Sequence, residues 1–299
     1  TTYLISSTIY LYLPLIPDIA IIRDRVKDWR KPLYELLSLG WSGSHAEIEV
    51  LESCISKMAI LVLPVAISVH TVVSYVFSMT VQPMWHSTIF GPYFVVGAIF
   101  SGIAALLIVM IAFRKAYHLE NYLREIHFQY LATLLLIMSI IWFYFTFSEY
   151  LTGVFGAEPH EMQIIMYKFT GPFAIPFWGM VLCNFVIPVI TLSFKRLKTI
   201  RGILIASCTV VIGMWLERLI IVVPSLANPG LELPMGIYIP TITEWALFAG
   251  GIAVFILGYM VFSKFFPIIS IWEIEEGRTE GLKEVEERIH SYLPAQTNP

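Results

Sequence analysis

Residues 91–113, Gly91-Pro-Tyr-Phe-Val-Val-Gly-Ala-Ile-Phe-Ser-Gly-Ile-Ala-Ala-Leu-Leu-Ile-Val-Met-Ile-Ala-Phe113, contain no charged side chain, and Arg114 and Lys115 follow at once. At about 1.5 Å per residue such a run makes a helix of roughly 34 Å, enough to cross the hydrocarbon of a bilayer. A strand would cross with only about 10 residues, and backbone groups in lipid must be satisfied internally, so the run reads as a transmembrane α-helix. Outward from it lie six more apolar runs, at about 1–22, 55–81, 127–152, 170–193, 202–226 and 241–266. Of the 299 residues 57% are hydrophobic and 14% charged, where a soluble domain carries about 25% charged residues. The fold class is therefore all-α, a polytopic transmembrane helix bundle over 1–272 with seven helices visible, followed by a charged tail over 273–299.

Lys and Arg collect in the loops that stay on the cytoplasmic side. Here Arg23, Arg25, Lys27, Arg30, Lys31 and Lys57 lie between or beside the first two runs, and Arg114, Lys115 and Arg124 follow the third. Lys195, Arg196, Lys198 and Arg201 follow the fifth, and Lys264, Arg278, Lys283 and Arg288 the last. Only two of the 19 basic residues fall elsewhere, Lys168 in an outer loop and Arg218 inside the sixth run. The expected location is the cytoplasmic membrane, with multiple passes, the first helix entering from outside and the C-terminus cytoplasmic. The chain opens on Thr1 inside an apolar run, so a truncated N-terminus is expected and the visible helices are then part of a larger set.

The connections differ in character. Residues 23–53 form the longest polar one, in which Pro32 to Leu39 suits a short interfacial helix anchored by Trp29 and Trp41. The outer loops, Gln82 to Tyr93 and Ala227 to Pro240, are rich in aromatic residues or Pro and Gly, and suit either an interfacial aromatic belt or a docking surface for an outside partner. Cys54, Cys183 and Cys208 show no C-x-x-C spacing, so no metal cluster is expected on this chain. A net charge of −3 gives no sign of nucleic-acid binding.

Ionisable groups in hydrocarbon cost several kcal/mol unless paired or hydrated, which makes each a candidate for function. They are Asp18, His70, Glu149, Glu217, Arg218 and Glu244. From the orientation, His70, Glu149, Glu217 and Glu244 lie from mid-membrane outward, close to His86 of the outer loop, while Asp18 lies near the inner end of its helix. An apolar ring that loses two electrons and two protons needs nearby groups that accept protons near neutral pH, and histidine or a desolvated carboxylate does so. For His70 a helix-to-helix hydrogen bond is the alternative, and for Glu149 and Glu244 solvation at headgroup level. Glu217 and Arg218 are neighbours about 100° apart on a helix, so each is expected to find its own partner, Glu149 or Glu244 in the case of Arg218. Only His70 lies well inside a run, so paired axial ligands for a b-type haem are not expected, and Lys264 sits too near a helix end for a retinal Schiff base.

The stretches Ser68-Val-His-Thr-Val-Val-Ser74, Trp85-His-Ser-Thr-Ile-Phe90 and Pro92-Tyr-Phe-Val-Val-Gly-Ala-Ile-Phe-Ser-Gly102 resemble the membrane-subunit family of polysulfide reductase, NrfD. So do Ile16-Pro-Asp-Ile-Ala20, Arg23-Asp-Arg25, Val181-Leu-Cys-Asn184 and Gly213-Met-Trp-Leu-Glu-Arg218. The likeness is nearest to the ten-helix branch, which includes the membrane subunits of alternative complex III and of the complex linked to dissimilatory sulfite reductase. On that likeness the seven helices would be the fourth to the tenth. The resemblance implies a subunit of a quinol:acceptor oxidoreductase, not catalytic alone, that binds menaquinol or menaquinone near the outer face without haem or metal of its own. It implies an iron–sulfur, ferredoxin-like partner and a cytochrome c-type partner on the outer face, beside other membrane subunits. It places His70 at the quinone and Asp18, Glu217 and Arg218 at quinone or proton-path positions; together with the reading of the residues, the expected quinone-binding group is His70, Ser74, His86 and Glu149, and the expected proton path Asp18, Glu217, Arg218 and Glu244. A cofactor-free structural or proton-conducting membrane anchor is the competing expectation, and a seven-helix receptor a third.

Overall fold

A computed structural model of the chain describes residues 1–80, 82–227 and 238–272, with 274, 277 and 278. The outer loop over 228–237 and most of the charged tail lie outside the described residues. Among the described residues every regular element is a helix. Six helices are long and apolar enough to cross a membrane, and α1 (Thr2–Tyr12) with α2 (Leu15–Arg25) makes a seventh candidate, bent by 52°. This is the all-α polytopic bundle read from the sequence, a multi-pass membrane protein. The chain divides into two units, residues 1–66 with 240–299, and residues 67–239.

In the first unit the bend has a local cause. Pro14 takes the N-cap position of α2, so its missing N–H and fixed φ end the preceding helix there. Ser6 and Thr8 turn their hydroxyls back onto the carbonyls four residues earlier, Thr2 and Leu4, at 2.9 and 2.7 Å, which hides them from an apolar surrounding. The expected short helix is present as α3 (Lys31–Leu37), opened by Pro32 at its start. Its buried Tyr34 donates to the Phe265 carbonyl at 2.8 Å, at the end of α11 (Ile242–Phe265). Leu39 and Gly40 then close α3 in left-handed backbone, with φ of 49° and 75°. The next helix, α4 (His45–Ser78), begins well before the apolar run, because its first turns carry Glu47, Glu49 and Glu52 clear of the hydrocarbon.

The second unit packs α5 (Phe90–Ala116), α6 (Glu125–Gly156) and α10 (Ile200–Ala227) around a continuous core. Lipid is as apolar as leucine, so this core is held by close packing and internal hydrogen bonds more than by escape from water. Ala104, Ala132 and Ala206 are fully buried where the helices meet. At Gly213 α10 comes close to the broken span, since a Cβ there would lie 2.1 Å from Asn184 Oδ1. The remaining span is broken into α8 (Ala174–Val181), a π-helical turn (Leu182–Val186) and α9 (Ile187–Ser193). Pro188 explains the break. It has no N–H for the carbonyl four residues back, which is Asn184, and that carbonyl instead accepts a hydrogen bond from Ser139 Oγ of α6 at 2.6 Å. The short amphipathic α7 (Pro159–Phe169) links α6 to this span and buries Ile164, Ile165 and Lys168.

Candidate functional site

The polar residues of the second unit are organised along α6. Glu149, Thr146, Trp142 and Ser139 recur at intervals of three or four, so they share one face of the helix and descend it over roughly 15 Å. Thr146, Trp142 and Ser139 are buried, and Glu149 is nearly so.

At the top of this stripe lies a cavity of about 360 Å³. Its walls are the loop residues Met84 and His86 to Ile89, then Ser148, Glu149 and Thr152 of α6, and Glu161 of α7. The loop is held in place by Trp85, whose Nε1–H donates to the Ile221 carbonyl at 2.9 Å, one turn before Pro224 of α10. His86 Nε2 sits 3.1 Å from Glu161 Oε1 and is half exposed. One oxygen of Glu149, Oε2, is buried with no hydrogen-bond partner among the described residues. His86, Glu158 and Glu161 bring ligand atoms within 4.8 Å of one another, a spacing that suits a divalent cation, although exposed carboxylates commonly gather this way at a helix start without one.

Below the cavity is a chamber of about 20 Å³, lined by Glu149 again and by Tyr93, Thr146, Tyr150, Lys168 and Trp85 among others. Lys168 is 3% exposed. Its ammonium lies 3.8 Å from the Met84 sulfur and 5.4 Å from the centre of the Tyr150 ring. Burial lowers its pKa to about 8, against a smaller upward pull from Glu149 and Glu161. Beyond the chamber the hydroxyls of Tyr93 and Thr146 are 3.3 Å apart, and Thr146 also donates to the Trp142 carbonyl at 2.9 Å.

The stripe then reaches Glu217 of α10, 1% exposed. Trp142 Nε1–H donates to Glu217 Oε1 at 2.7 Å, and Tyr93 faces the same carboxylate. Contrary to the expectation that Arg218 looks away from Glu217 toward another acid, it reaches back, with Nη2 4.0 Å from Glu217 Oε2 and its guanidinium 4.2 Å above the Phe94 ring. The length of the arginine side chain overcomes the angle between neighbours, and Gly97 leaves the space, since a Cβ there would stand 3.3 Å from Arg218 Nη2. A hydrogen-bonded buried carboxylate beside an arginine can hold or exchange a proton, as can Glu149.

The structure thus brings His86 and Glu149 to one cavity, and Glu217 and Arg218 to one pair. His70 and Ser74 lie on α4, outside the linings of the cavity and chamber, and the buried Ser74 hydroxyl donates to the Thr71 carbonyl at 2.7 Å. Asp18 and Glu244 belong to the first unit. Asp18 Oδ1 accepts the Trp272 backbone N–H at 2.9 Å, and Glu244 closes a capping box with Thr241 at the start of α11. Glu244 therefore holds a helix start, and Asp18 anchors the segment that follows α11. Lys168, Trp142, Tyr93 and Thr146 are the site residues that a search for charges in apolar runs does not find. Helical spacing back from Glu149 reveals three of the stripe positions, and Lys168 sits three and four residues after the apolar Ile165 and Ile164.

No curated protein is similar enough to match the chain. A family model described as Polysulphide reductase, NrfD, matches residues 8–230, which take in every helix of the second unit, and the chain belongs to that family.

Proposed function

We propose that this protein is the quinol-binding membrane subunit of a respiratory oxidoreductase, and that the cavity beside Glu149 receives the quinol ring. NrfD proteins are the membrane subunits of quinol-linked oxidoreductases and associate with other subunits. The observation that carries the reading is a cavity of ligand size whose wall includes a buried, unpartnered carboxylate oxygen with an acid–base chain behind it. About 360 Å³ accommodates a ring with its substituents, and the residues present suit a quinol: an acceptor for its hydroxyl in Glu149 and an imidazole in His86. When bound, a menaquinol-class ring supplies two electrons and two protons.

Glu149 accepts the first hydroxyl proton on its carboxylate, and the His86–Glu161 pair at the cavity mouth exchanges the second with water. Tyr93, Thr146 and Glu217 offer a route for a proton deeper into the bundle. By the distribution of Lys and Arg, the cavity faces the outside and the C-terminus the cytoplasm. Electrons then leave to a ferredoxin-like iron–sulfur subunit docked over the loop at 82–89, with a cytochrome c-type subunit beyond it. The cytoplasmic membrane is the location this requires. Proton conduction without a quinol is the second reading, favoured by the continuation of the stripe to Trp142 and Ser139, below the cavity.

Glu149→Gln in the assembled complex decides between them. Quinol-analogue oxidation is expected to fall at least tenfold, with quinol still recovered in the lipid extract of the purified complex. Full turnover in the variant, or an extract without quinone, would overturn the quinol site.

A further inference from the structure

Basic residues gather in alternate connections of this chain, and Lys168 is the exception among the others. The fold gives the reason, for Lys168 is not at a surface. It shares the buried face of α7 with Ile164 and Ile165, and its ammonium has a thioether as its hydrogen-bond partner. A thioether and a ring face at 5.4 Å replace only part of the hydration that an ammonium loses, so a cation here is costly unless something else in the chamber meets it. Glu149 lines the same chamber, and one of its oxygens, Oε2, is buried without a hydrogen-bond partner among the described residues. The space between these groups is about 20 Å³, enough for one water molecule, and a buried water needs two to four polar partners to stay.

We propose that Lys168 and Glu149 hold a single water in this chamber, that the water joins the large cavity to the Tyr93–Thr146 hydroxyl pair and so to Glu217, and that Lys168 is the positioning residue of the junction. The bonding closes for every group. The water oxygen accepts from Lys168 Nζ, one of its hydrogens goes to Glu149 Oε2, and the other goes to Thr146 Oγ1, whose own hydrogen is engaged with the Trp142 carbonyl. A proton crosses the junction as Glu149 gives one to the water, the water gives one to Thr146 Oγ1, and Thr146 turns its own hydrogen from the Trp142 carbonyl to the Tyr93 oxygen and releases it there, so each oxygen gains one proton and gives one up. The groups facing the ammonium are Glu149 and Tyr150 from α6, Glu161 from α7 and Tyr93 from α5, with Glu217 of α10 behind and His86 bound to Glu161. A pKa lowered to about 8 leaves Lys168 cationic at neutral pH, as the donor role requires. The inference rests on the proposed quinol site only for the origin of the proton.

The test has two arms. A cryo-electron-microscopy map of the assembled complex, at a resolution that shows ordered water, is expected to show one peak within hydrogen-bond distance of both Lys168 Nζ and Glu149 Oε2. An empty chamber in a map with other buried waters resolved, or direct contact between the two side chains, would overturn the proposal. In a Lys168→Met complex the peak is expected to vanish, while kcat for a quinol analogue falls at least tenfold and KM stays within twofold. Unchanged kcat in an assembled variant would overturn the positioning role. Should the wild-type complex oxidise no quinol, the quinol site fails, and the map alone still decides the water.

Discussion

Replacing Lys168 by Met should stabilise the protein at neutral pH. The ammonium has an ordinary pKa of 10.5 and is lowered to about 8 by burial. A tenfold change in proton affinity is worth about 1.4 kcal/mol, so charging this buried side chain costs the fold on the order of 3 kcal/mol below pH 8. The favourable pull of Glu149 and Glu161 is already contained in that value. The sign follows from proton binding. Between pH 8 and 10.5 the unfolded chain holds a proton on Lys168 that the folded chain has lost, so wild-type stability rises with pH across this window and reaches its unpenalised level above it. Methionine fills nearly the same volume without the charge. In detergent, thermal unfolding of the variant at pH 7 should therefore lie several degrees above wild type, and the two should converge as the pH passes 10. A variant less stable than wild type at pH 7, or an identical rise from pH 8 to 10.5 in both, would show that the ammonium is well solvated where it sits. A site that gains stability on losing its charge is the usual mark of a residue kept for activity.

Three further outcomes can be checked in the same way. Ser139→Ala removes the hydroxyl that meets the Asn184 carbonyl opposite Pro188 and should cost about 1–3 kcal/mol in thermal unfolding, most of which Ser139→Thr should recover. Gly213→Ala places a Cβ 2.1 Å from Asn184 Oδ1 and should lower stability by about 1–3 kcal/mol or prevent assembly, read by the yield and melting of the purified complex. Trp142→Phe keeps an aromatic ring but deletes the donor to Glu217 at 2.7 Å, so proton uptake measured in proteoliposomes should slow while the helical signal in circular dichroism stays the same.

Much of the fold is legible in the sequence because the bilayer imposes one length scale on every span. The run at 91–113 and α5 (Phe90–Ala116) nearly coincide. Elsewhere legibility ends where lipid stops being the arbiter. The start of α4 at His45 lies in water-facing turns whose charges hide a helix from any search for apolar runs, and the bend at Pro14 divides what hydropathy presents as one segment. The π-turn is signalled only by Pro188, whose consequence depends on the hydroxyl that Ser139 brings from another helix. The site follows the same rule. Glu149 and Glu217 stand out because charge in hydrocarbon is costly, and Asp18 and Glu244 stand out for the same reason, yet the sequence does not show that Glu244 closes a capping box or that Asp18 meets the Trp272 N–H. Lys168 is hidden because the sequence alone places it in a loop, and only the packing of α7 carries it inside. His70 lies on the same side of the membrane as the cavity by the distribution of charge, yet one dimension of depth does not say which helix faces which.

The bond from Ser139 to the carbonyl opposite Pro188 also acts as a mechanical clamp. A helix with a free carbonyl in mid-span could turn about its own axis at small expense, but here rotation or sliding of the broken span would tear that carbonyl from α6. Because α6 carries Glu149, Thr146 and Trp142 as well, this bond couples the broken span to the polar stripe, and parting them costs about 1–3 kcal/mol. α7 and the loop pinned by Trp85, which wall the cavity from outside the clamp, can shift without breaking that bond.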